Sequence, residues 1–450
     1  MDIERALDNA KFGRPHVTLF VVSLALMIIE GIDIQLIGFV APVIIREWGL
    51  ESLDFGFVFS AGLAGAMVGA VIFGALGDRV GRRVMILASL AAFGVGTLVT
   101  PWVADLQSLI VLRFLTSLGL GGVVPNILAL CAEWFPRRAR ASLLGTVATG
   151  QLMGGMVGSI ASSWLLPHLG WQFMFFLAGL LSVLMLIPAA LLIPESLRFR
   201  VVRGDAPDRI EAQLAPLGVA VLDGENFTLA THHPVQRRVV DLLRDGRASM
   251  TLCLWLAIGC NVYMTAFVIY WLPTLLTQAG VPLASAILTV TAINASGIVG
   301  GILLSTLVNR FGAFRVLSSA YLMSAAAVVG IGLTAPDVPT VMALAVLTGV
   351  TSLGAFAGMN VLSASLYPTE LRSAGVGAVI AASKGGGIVG PAAASVGLAA
   401  GLPLVGVFGI AAAGGVCASA AICGLAAIQR LPFGEAPPSI KASCGKAKTK

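Results

Sequence analysis

The sequence predicts an all-α membrane protein with twelve transmembrane helices arranged as two six-helix halves. Three observations support this fold class. Of the 450 residues, 57% are hydrophobic and only 11% are charged, whereas soluble domains have about 25% charged residues. The chain contains twelve apolar runs that are each long enough to cross a bilayer. Motifs of the first half also recur in the second half at a nearly constant spacing.

The apolar runs divide the chain into four parts. A helical span needs about 20 apolar residues to cross roughly 30 Å of hydrocarbon. A first half (1–193) holds runs at 17–45, 54–77, 83–103, 106–132, 140–166 and 171–193. After a linker (194–247), a second half (248–429) holds runs at 248–277, 284–308, 313–334, 338–366, 372–400 and 402–428, and a tail (430–450) follows.

Three landmarks show that the two halves repeat each other. GDRVGRR at 77–83 corresponds to VNRFGAFR at 308–315, with Gly81 matching Gly312. PRRARA at 136–141 corresponds to PTELRS at 368–373, and Gly154 corresponds to Gly386 at the same spacing. Parallel repeats of this kind face each other across an axis normal to the membrane. They are typical of proteins that bind their ligand between the halves, near the midplane.

The basic residues predict the orientation. Of 28 Lys and Arg, all but Arg46, Arg113 and Lys384 fall in the termini, the linker or loops on one side of the membrane. Because basic loops remain in the cytoplasm, both termini are expected there, with the protein in the cell's inner membrane. The net charge of +6 therefore reflects topology, and no nucleic-acid partner is expected.

Two acidic residues, Glu30 and Asp33, lie inside the apolar first span. Ionisable groups at membrane depth are costly and usually mark an ion or substrate path. A spacing of three places both on nearly the same helix face. Because burial favours the neutral acid, Asp33 is expected to exchange a proton, with Glu30 beside it. The alternative is that one acid forms a fixed pair with a neighbouring helix.

Two cations lie within spans, and each needs a partner. Arg113 is the only cation of the fourth span, and the acids of the first span are its expected partners. Either a permanent ion pair or a pair that breaks on protonation fits the sequence. Lys384 in the eleventh span would complement the carboxylate of an anionic substrate. Pairing of Lys384 with a carbonyl at a helix end is the alternative.

Aromatic and amide side chains suggest the walls of a binding pocket. Tyr263, Phe267 and Tyr270 fall on one face of the seventh span, where they either line a pocket or pack between helices. Asn126 and Asn360 occupy nearly equivalent places in the fourth and tenth spans. Buried amides need hydrogen-bond partners, which a neighbouring helix or a ligand can provide.

Several motifs resemble those of a known family. GALGDRVGRR at 74–83 and RFLTSLGLGG at 113–122 are similar to signatures of the major facilitator superfamily. EGIDIQLIGFVAPVI in the first span, PNILALCAEWFPRRARA at 125–141, and LYPTELRSAGVG with KGGGIVGP narrow the resemblance to the aromatic acid:proton symporter family. That family usually has Asp where this chain has Glu30, and Arg where it has Lys384. The second departure changes substrate recognition, because the Lys ammonium is a point charge and cannot offer a carboxylate the planar, forked donor group of Arg.

The resemblance implies a major facilitator fold and a secondary transporter that imports an aromatic carboxylate with protons. Benzoates, hydroxybenzoates and phenylpropionates all fit this description. A sugar or polyol porter and, with less support, a drug exporter are alternatives. The chain shows no nucleophile motif or metal-ligand cluster, so neither an enzyme nor a metal or other cofactor is expected. The transporter is expected to act as a monomer.

The loop after the second span is expected to act as a conformational latch. Asp78 would cap or face a helix N-terminus. Arg82 and Arg83 would pair with acids on the neighbouring half and hold the cytoplasmic side shut when the transporter faces outward. Glycines permit its tight turn. The residues assigned to the latch are Gly74, Asp78, Arg79, Gly81, Arg82 and Arg83, with Glu133, Arg140, Glu370 and Arg372 as further members.

Overall fold

In a computed structural model, every regular element of the described residues is helical. The structure describes residues 2–217, 227–228, 239–368 and 371–430. A short helix, α1 (Ile3–Asn9), precedes the first half. The first half consists of α2 (Arg14–Trp48), α3 (Ser52–Val80), α4 (Arg82–Val99), α5 (Leu106–Trp134) and α6 (Arg137–Leu192).

The fifth and sixth predicted spans form one continuous element, α6. At 56 residues, α6 is far longer than the roughly 30 Å of hydrocarbon requires at 1.5 Å per residue. It breaks at Gly170, whose φ of 76° and ψ of 171° are not helical. Among the described residues, eleven helical segments are long and apolar enough to span a membrane, and the break in α6 accounts for the twelfth predicted span.

Two short linker helices, α7 (Leu197–Arg203) and α8 (Pro207–Leu214), pack beneath the first half. The second half consists of α9 (Ala248–Gln278), α10 (Leu283–Phe311), α11 (Ala313–Thr334), α12 (Val338–Thr348), α13 (Gly354–Leu366), α14 (Arg372–Ala399) and α15 (Leu404–Arg430). A five-residue π-helix at Gly349–Leu353 joins α12 to α13 within the tenth span. The tail beyond residue 430 lies outside the described residues.

The repeat predicted from the sequence is visible in the packing. In the first half α2 packs on α6, and in the second half α9 packs on α14. Both contacts are close enough to require glycine. A Cβ on Gly154 would lie 2.1 Å from the Ile28 carbonyl oxygen, and a Cβ on Gly386 would lie 2.0 Å from the Gly259 carbonyl oxygen. The matching glycines therefore set equivalent helix contacts in the two halves.

The two halves meet at one end of the bundle. We call the end where α2 starts the near end, and the end where α2 stops, at Trp48, the far end. One hydrophobic cluster at the far end includes residues of both halves, such as Phe39, Phe59 and Trp271. Towards the near end, each half has a separate cluster of its own. The halves are thus packed together at the far end and apart at the near end.

Candidate functional site

The Asp33 carboxylate lies in the middle of α2, fully buried and facing Arg113 of α5. Arg113 Nη1 donates a hydrogen bond of 3.2 Å to Asp33 Oδ1. The Thr97 hydroxyl donates to the other carboxylate oxygen, and the guanidinium lies over the Phe175 ring at 5.8 Å. A buried guanidinium without a counter-charge would be strongly destabilising. The structure thus joins Asp33 to Arg113 inside the first half.

Glu30, one turn earlier on α2, has different neighbours. Gln151 of α6 donates from Nε2 to both Glu30 carboxylate oxygens, at 3.0 and 3.1 Å. Glu30 is 2% exposed, and Lys384 of the second half lies within electrostatic range of it. No ion pair within 4.0 Å joins Lys384 to an acid in the part of the chain that the structure describes. Lys384 itself is exposed on α14.

The sequence around Glu30 explains this geometry. A Cβ on Gly31 would lie 2.2 Å from the Gln151 carbonyl oxygen, so α2 and α6 meet at a distance that only glycine allows. This close approach brings the Gln151 amide within hydrogen-bond distance of the Glu30 carboxylate. Gly31 therefore allows α6 to approach closely enough for Gln151 to bind the Glu30 carboxylate.

A small cavity lies beside Arg113. It has a volume of about 10 Å³, and Phe59 and Tyr270 are among its lining residues. Space of this size holds about one water molecule, so an aromatic acid does not fit there in this conformation. The Nε atom of Arg113 is buried and has no hydrogen-bond partner among the described residues.

The predicted aromatic face of α9 divides in the structure. Tyr270 lines the cavity, and its hydroxyl donates to the Ile34 carbonyl across the interface between the halves. Phe267 is fully buried in the core. Tyr263 donates from its hydroxyl to the Ile410 carbonyl of α15. Only Tyr270 of this face thus contacts the region around Arg113, and Tyr263 packs between helices of the second half.

The two predicted binding amides lie elsewhere. Asn126 is fully buried and donates from Nδ2 to the Phe73 and Gly122 carbonyl oxygens. Its amide hydrogens therefore hold α5 against α3, while its Oδ1 is buried without a hydrogen-bond partner among the described residues. Asn360 is partly buried on α13. Neither amide joins the group of residues around Glu30 and Lys384, so the expected contact of Asn126 with substrate has no support from this geometry.

The predicted latch residues interact within the first half. Arg82 lies 2.6 Å from Asp78 and 3.5 Å from Glu133. Arg83 donates to the Ala190 carbonyl at 2.5 Å. The expected pairing with acids of the second half is absent among the described residues in this conformation, because the halves meet at the opposite end.

Further members of the predicted latch are placed as follows. Gly81 forms the turn before α4 with a φ of 114°, and Gly74 lies beside Pro125 of α5. Arg79 is exposed, and Arg140 pairs with Asp8 of α1. Arg372 begins α14, and Glu370 lies outside the described residues.

Sequence analysis missed the polar residues that contact the predicted ones. Gln151 and Thr97 are the partners of the two acids. Gln35 of α2 and Asn294 of α10 exchange two hydrogen bonds, of 2.9 and 3.3 Å, across the halves. Because a buried amide needs a hydrogen-bond partner, Gln151, Gln35 and Asn294 could be identified from the sequence as amides within predicted spans, whereas no comparable signal marks Thr97.

Comparison with known proteins identifies the family. Residues 23–391 match the model of the Major Facilitator Superfamily. The chain belongs to this superfamily. The major facilitator fold is also that of the D-xylose–proton symporter, which aligns with a TM-score of 0.71 at 16% identity, over 90% of this chain and 97% of that one. A bacterial homologue of the human lysosomal transporter Spinster, in an inward-facing and unoccupied conformation, aligns with a TM-score of 0.68 at 16% identity, over 93% and 96%.

Relatives within the superfamily are more similar in sequence. A gallate transporter of Pseudomonas putida is 31% identical over 90% of this chain and 91% of its own. The 4-hydroxybenzoate transporter PcaK of Acinetobacter baylyi is 29% identical over 87% and 86%. A benzoate transport protein of the same organism is 28% identical over 87% and 85%. The predicted membership of the aromatic acid:proton symporter family is confirmed, and the protein is a multi-pass membrane protein.

Proposed function

We propose that this protein is a secondary transporter that imports an aromatic carboxylate together with protons by alternating access. The relatives named for gallate, 4-hydroxybenzoate and benzoate support the substrate class. The observation that carries the proposal is the exposed side chain of Lys384 on α14, which lies within electrostatic range of Glu30 of the other half and forms no ion pair with an acid among the described residues. A transporter, and not an enzyme, fits this family and this site.

Lys384 and Glu30 together provide a means of coupling. An ionised Glu30 attracts the Lys384 ammonium and competes with a substrate carboxylate for it. Protonation of Glu30 removes that competition, so Lys384 becomes free to bind the carboxylate through a charge-assisted hydrogen bond. Gln151 keeps the Glu30 side chain in place in both states, because its amide donates to the carboxylate oxygens. One proton moving with one monoanion transfers no net charge.

The aromatic part of the substrate would contact the apolar wall near the same acids. Tyr270 and Phe59 have ring centroids 5.2 Å apart, and Tyr270 lies within electrostatic range of Glu30. Aromatic rings favour offset or edge-to-face contacts with one another. We assign Tyr270 to the wall of the pocket, whereas Tyr263 is left out because its hydroxyl binds a neighbouring helix. Asn126 is left out because its amide hydrogens bind the Phe73 and Gly122 carbonyl oxygens.

The conformation fits one state of an alternating-access cycle. With both termini in the cytoplasm, as the basic loops predict, the far end of the bundle is the outer end. The halves pack together there and separate near the cytoplasm, which is an inward-facing arrangement. The latch around Arg82 would then pair across the halves in the outward-facing state, after the near end has closed.

The test is a double-mutant cycle on Lys384. Purified wild type and Lys384→Ala are titrated with benzoate, 4-hydroxybenzoate and gallate and with their methyl esters. Loss of a charge-assisted bond worth about 1.5–3 kcal/mol should weaken acid binding by roughly 10- to 150-fold. The methyl ester should bind the wild type about as weakly as the acid binds Lys384→Ala. Its affinity should fall little further on the variant.

Lys384→Arg is the matched control, because it keeps the charge and should retain binding while changing the preference among ring-substituted acids. A coupling energy near zero between Lys384 and the carboxylate would contradict the assignment. In proteoliposomes with an imposed pH gradient, the wild type should accumulate the acid and leave glucose outside. Accumulation of glucose would favour the sugar-porter alternative.

A further inference from the structure

A second apolar recess lies on the outer surface of the second half. It has a volume of about 470 Å³, within the range of about 300–1,000 Å³ found for ligand pockets. Its walls come from α10, α11 and the tenth span. We call it the outer groove, where outer means the lipid-exposed surface of the second half and not the outer side of the membrane. Its lining residues include Leu303, Leu307, Phe311, Ser319, Met323 and Val350.

The outer groove faces hydrocarbon, and one charged residue lies at its near end. Leu303, Phe311 and Met323 are 46%, 54% and 48% exposed, which in a membrane protein means exposure to lipid. Arg315, in the first turn of α11, is the charged lining residue. It is exposed and forms no ion pair with any acid in the described part of the chain.

In the first half, an acidic side chain lies against the turn that is equivalent to the start of α11. Gly81 and Gly312 precede α4 and α11 with nearly the same conformation, φ of 114° and 90°. In the first half Glu195 accepts a hydrogen bond of 3.1 Å from the Arg83 backbone N–H, and a Cβ on Gly81 would lie 2.5 Å from its carboxylate. An anion thus lies against the start of α4.

The second half lacks this internal anion among its described residues. At the spacing of the repeat, Glu195 corresponds to Ala426. Nothing lies within 4 Å of a Cβ placed on Gly312, and no side chain caps α11. Since no acid of the described residues pairs with Arg315, this cation at the turn offers a place for an anion from outside the chain.

We propose that the outer groove binds one anionic phospholipid of the leaflet at the near end, with an acyl chain along the groove and the phosphate at Arg315. The apolar walls match the chain, and the guanidinium matches the headgroup charge. Basic pockets between transmembrane helices on the cytoplasmic side bind anionic headgroups in this way. The site is separate from Lys384 and does not depend on the identity of the transported substrate.

Thermal unfolding of the purified full-length protein in detergent tests the proposal. Dioleoyl phosphatidylglycerol should stabilise the wild type at a concentration about 5-fold lower than dioleoyl phosphatidylcholine, since one basic residue near an anionic lipid gives a preference of about this size. Arg315→Gln should abolish this preference. Arg138→Gln, which removes another exposed arginine at the near end, should keep it.

A second variant tests the groove itself and retains the charge. Ser319→Phe should fill the groove and weaken stabilisation by both lipids, even if Arg315→Gln does not fold. Equal stabilisation of the wild type by the two lipids, or a full preference retained in Arg315→Gln, would overturn the proposal. Equal stabilisation by sn-glycerol 3-phosphate alone would also overturn it, because the ligand would then be a free phosphate and not a lipid.

Discussion

At the scale of single residues, the two acids of α2 are close in sequence but have different surroundings. Asp33 is held by Arg113 and Thr97 inside the first half. Glu30 lies against Gln151 and within electrostatic range of Lys384 of the second half. A proton on Asp33 would break an ion pair within one half. A proton on Glu30 would change the attraction between the halves and, in the proposed mechanism, the availability of Lys384 for the substrate carboxylate.

The two acids should therefore respond differently to neutral substitution. Glu30→Gln and Asp33→Asn should both abolish accumulation driven by a pH gradient, because neither amide releases a proton. Asp33→Asn should also lower the free energy of unfolding by about 3–5 kcal/mol, since Arg113 is left buried without its counter-charge. Uptake in proteoliposomes, normalised to folded protein, and denaturant unfolding measure the two effects.

Asp105→Asn is the control for this pair. Asp105 is the N-cap of α5 and accepts a hydrogen bond of 2.8 Å from the Ser108 backbone N–H, a role that Asn also performs. Its uptake and stability should remain near those of the wild type. Wild-type accumulation in Glu30→Gln would exclude Glu30 from coupling, and the same result in Asp33→Asn would exclude Asp33.

At the scale of elements, small residues determine how closely the helices pack. Without a hydrophobic driving force between helices in lipid, close backbone contact supplies much of the association energy. Along α3, a Cβ on Gly69 would lie 2.0 Å from the Leu118 carbonyl oxygen of α5. The same contact brings Gly77 against the Asn126 amide, so Asn126 takes part in the packing of this helix pair.

Gly69→Ala should separate α3 from α5 and lower the free energy of unfolding by about 1–3 kcal/mol, the usual effect of overpacking. Gly301→Ala on α10 is the matched control, because nothing lies within 4 Å of a Cβ there. Ala is also the better helix former, so the control should be neutral or stabilising. Unfolding in mild detergent measures the stability of Gly69→Ala and Gly301→Ala. Equal stability would mean that α3 can move away from α5 without a cost in free energy of unfolding.

At the scale of the whole molecule, a small set of polar contacts joins the two halves. Gln35 and Asn294 exchange two amide hydrogen bonds, and the hydroxyls of Ser159 and Thr291 lie 2.6 Å apart. These contacts lie in the middle and towards the far end of the bundle. Together with the shared apolar cluster they favour the conformation that is closed at the far end.

Removing the amide pair should shift the balance between conformations. Asn294→Ala leaves the Gln35 amide buried without its partner. Loss of about 1–3 kcal/mol should increase the ratio of far-end-open to far-end-closed molecules by roughly 5- to 150-fold. Spin labels at residues 51 and 278, one on each half at the far end, would report this change as a population at longer distance.

Thr306→Ala is the control on the same helix, because its hydroxyl bonds only the Ile302 carbonyl of α10. It should leave the distance distribution unchanged. An Asn294→Ala distribution identical to that of the wild type would show that the apolar cluster alone holds the far end closed.

The sequence by itself determined the elements, their repeat and the buried charges. The predicted span 313–334 coincides with α11, and the runs 140–166 and 171–193 lie on either side of the break at Gly170. These features follow from local rules, because the bilayer requires about 20 apolar residues per span and every backbone polar group must be bonded within its own helix.

Only the tertiary structure decided which neighbour each buried polar group meets. Tyr263 and Tyr270 share a predicted helix face, yet one bonds α15 and the other bonds α2. Glu30 and Asp33 separate in the same way, and Arg82 pairs within its own half while the near end is open. These choices depend on helix rotation and on which end of the bundle is closed. Both are set by packing between distant segments, which periodicity along one segment does not encode.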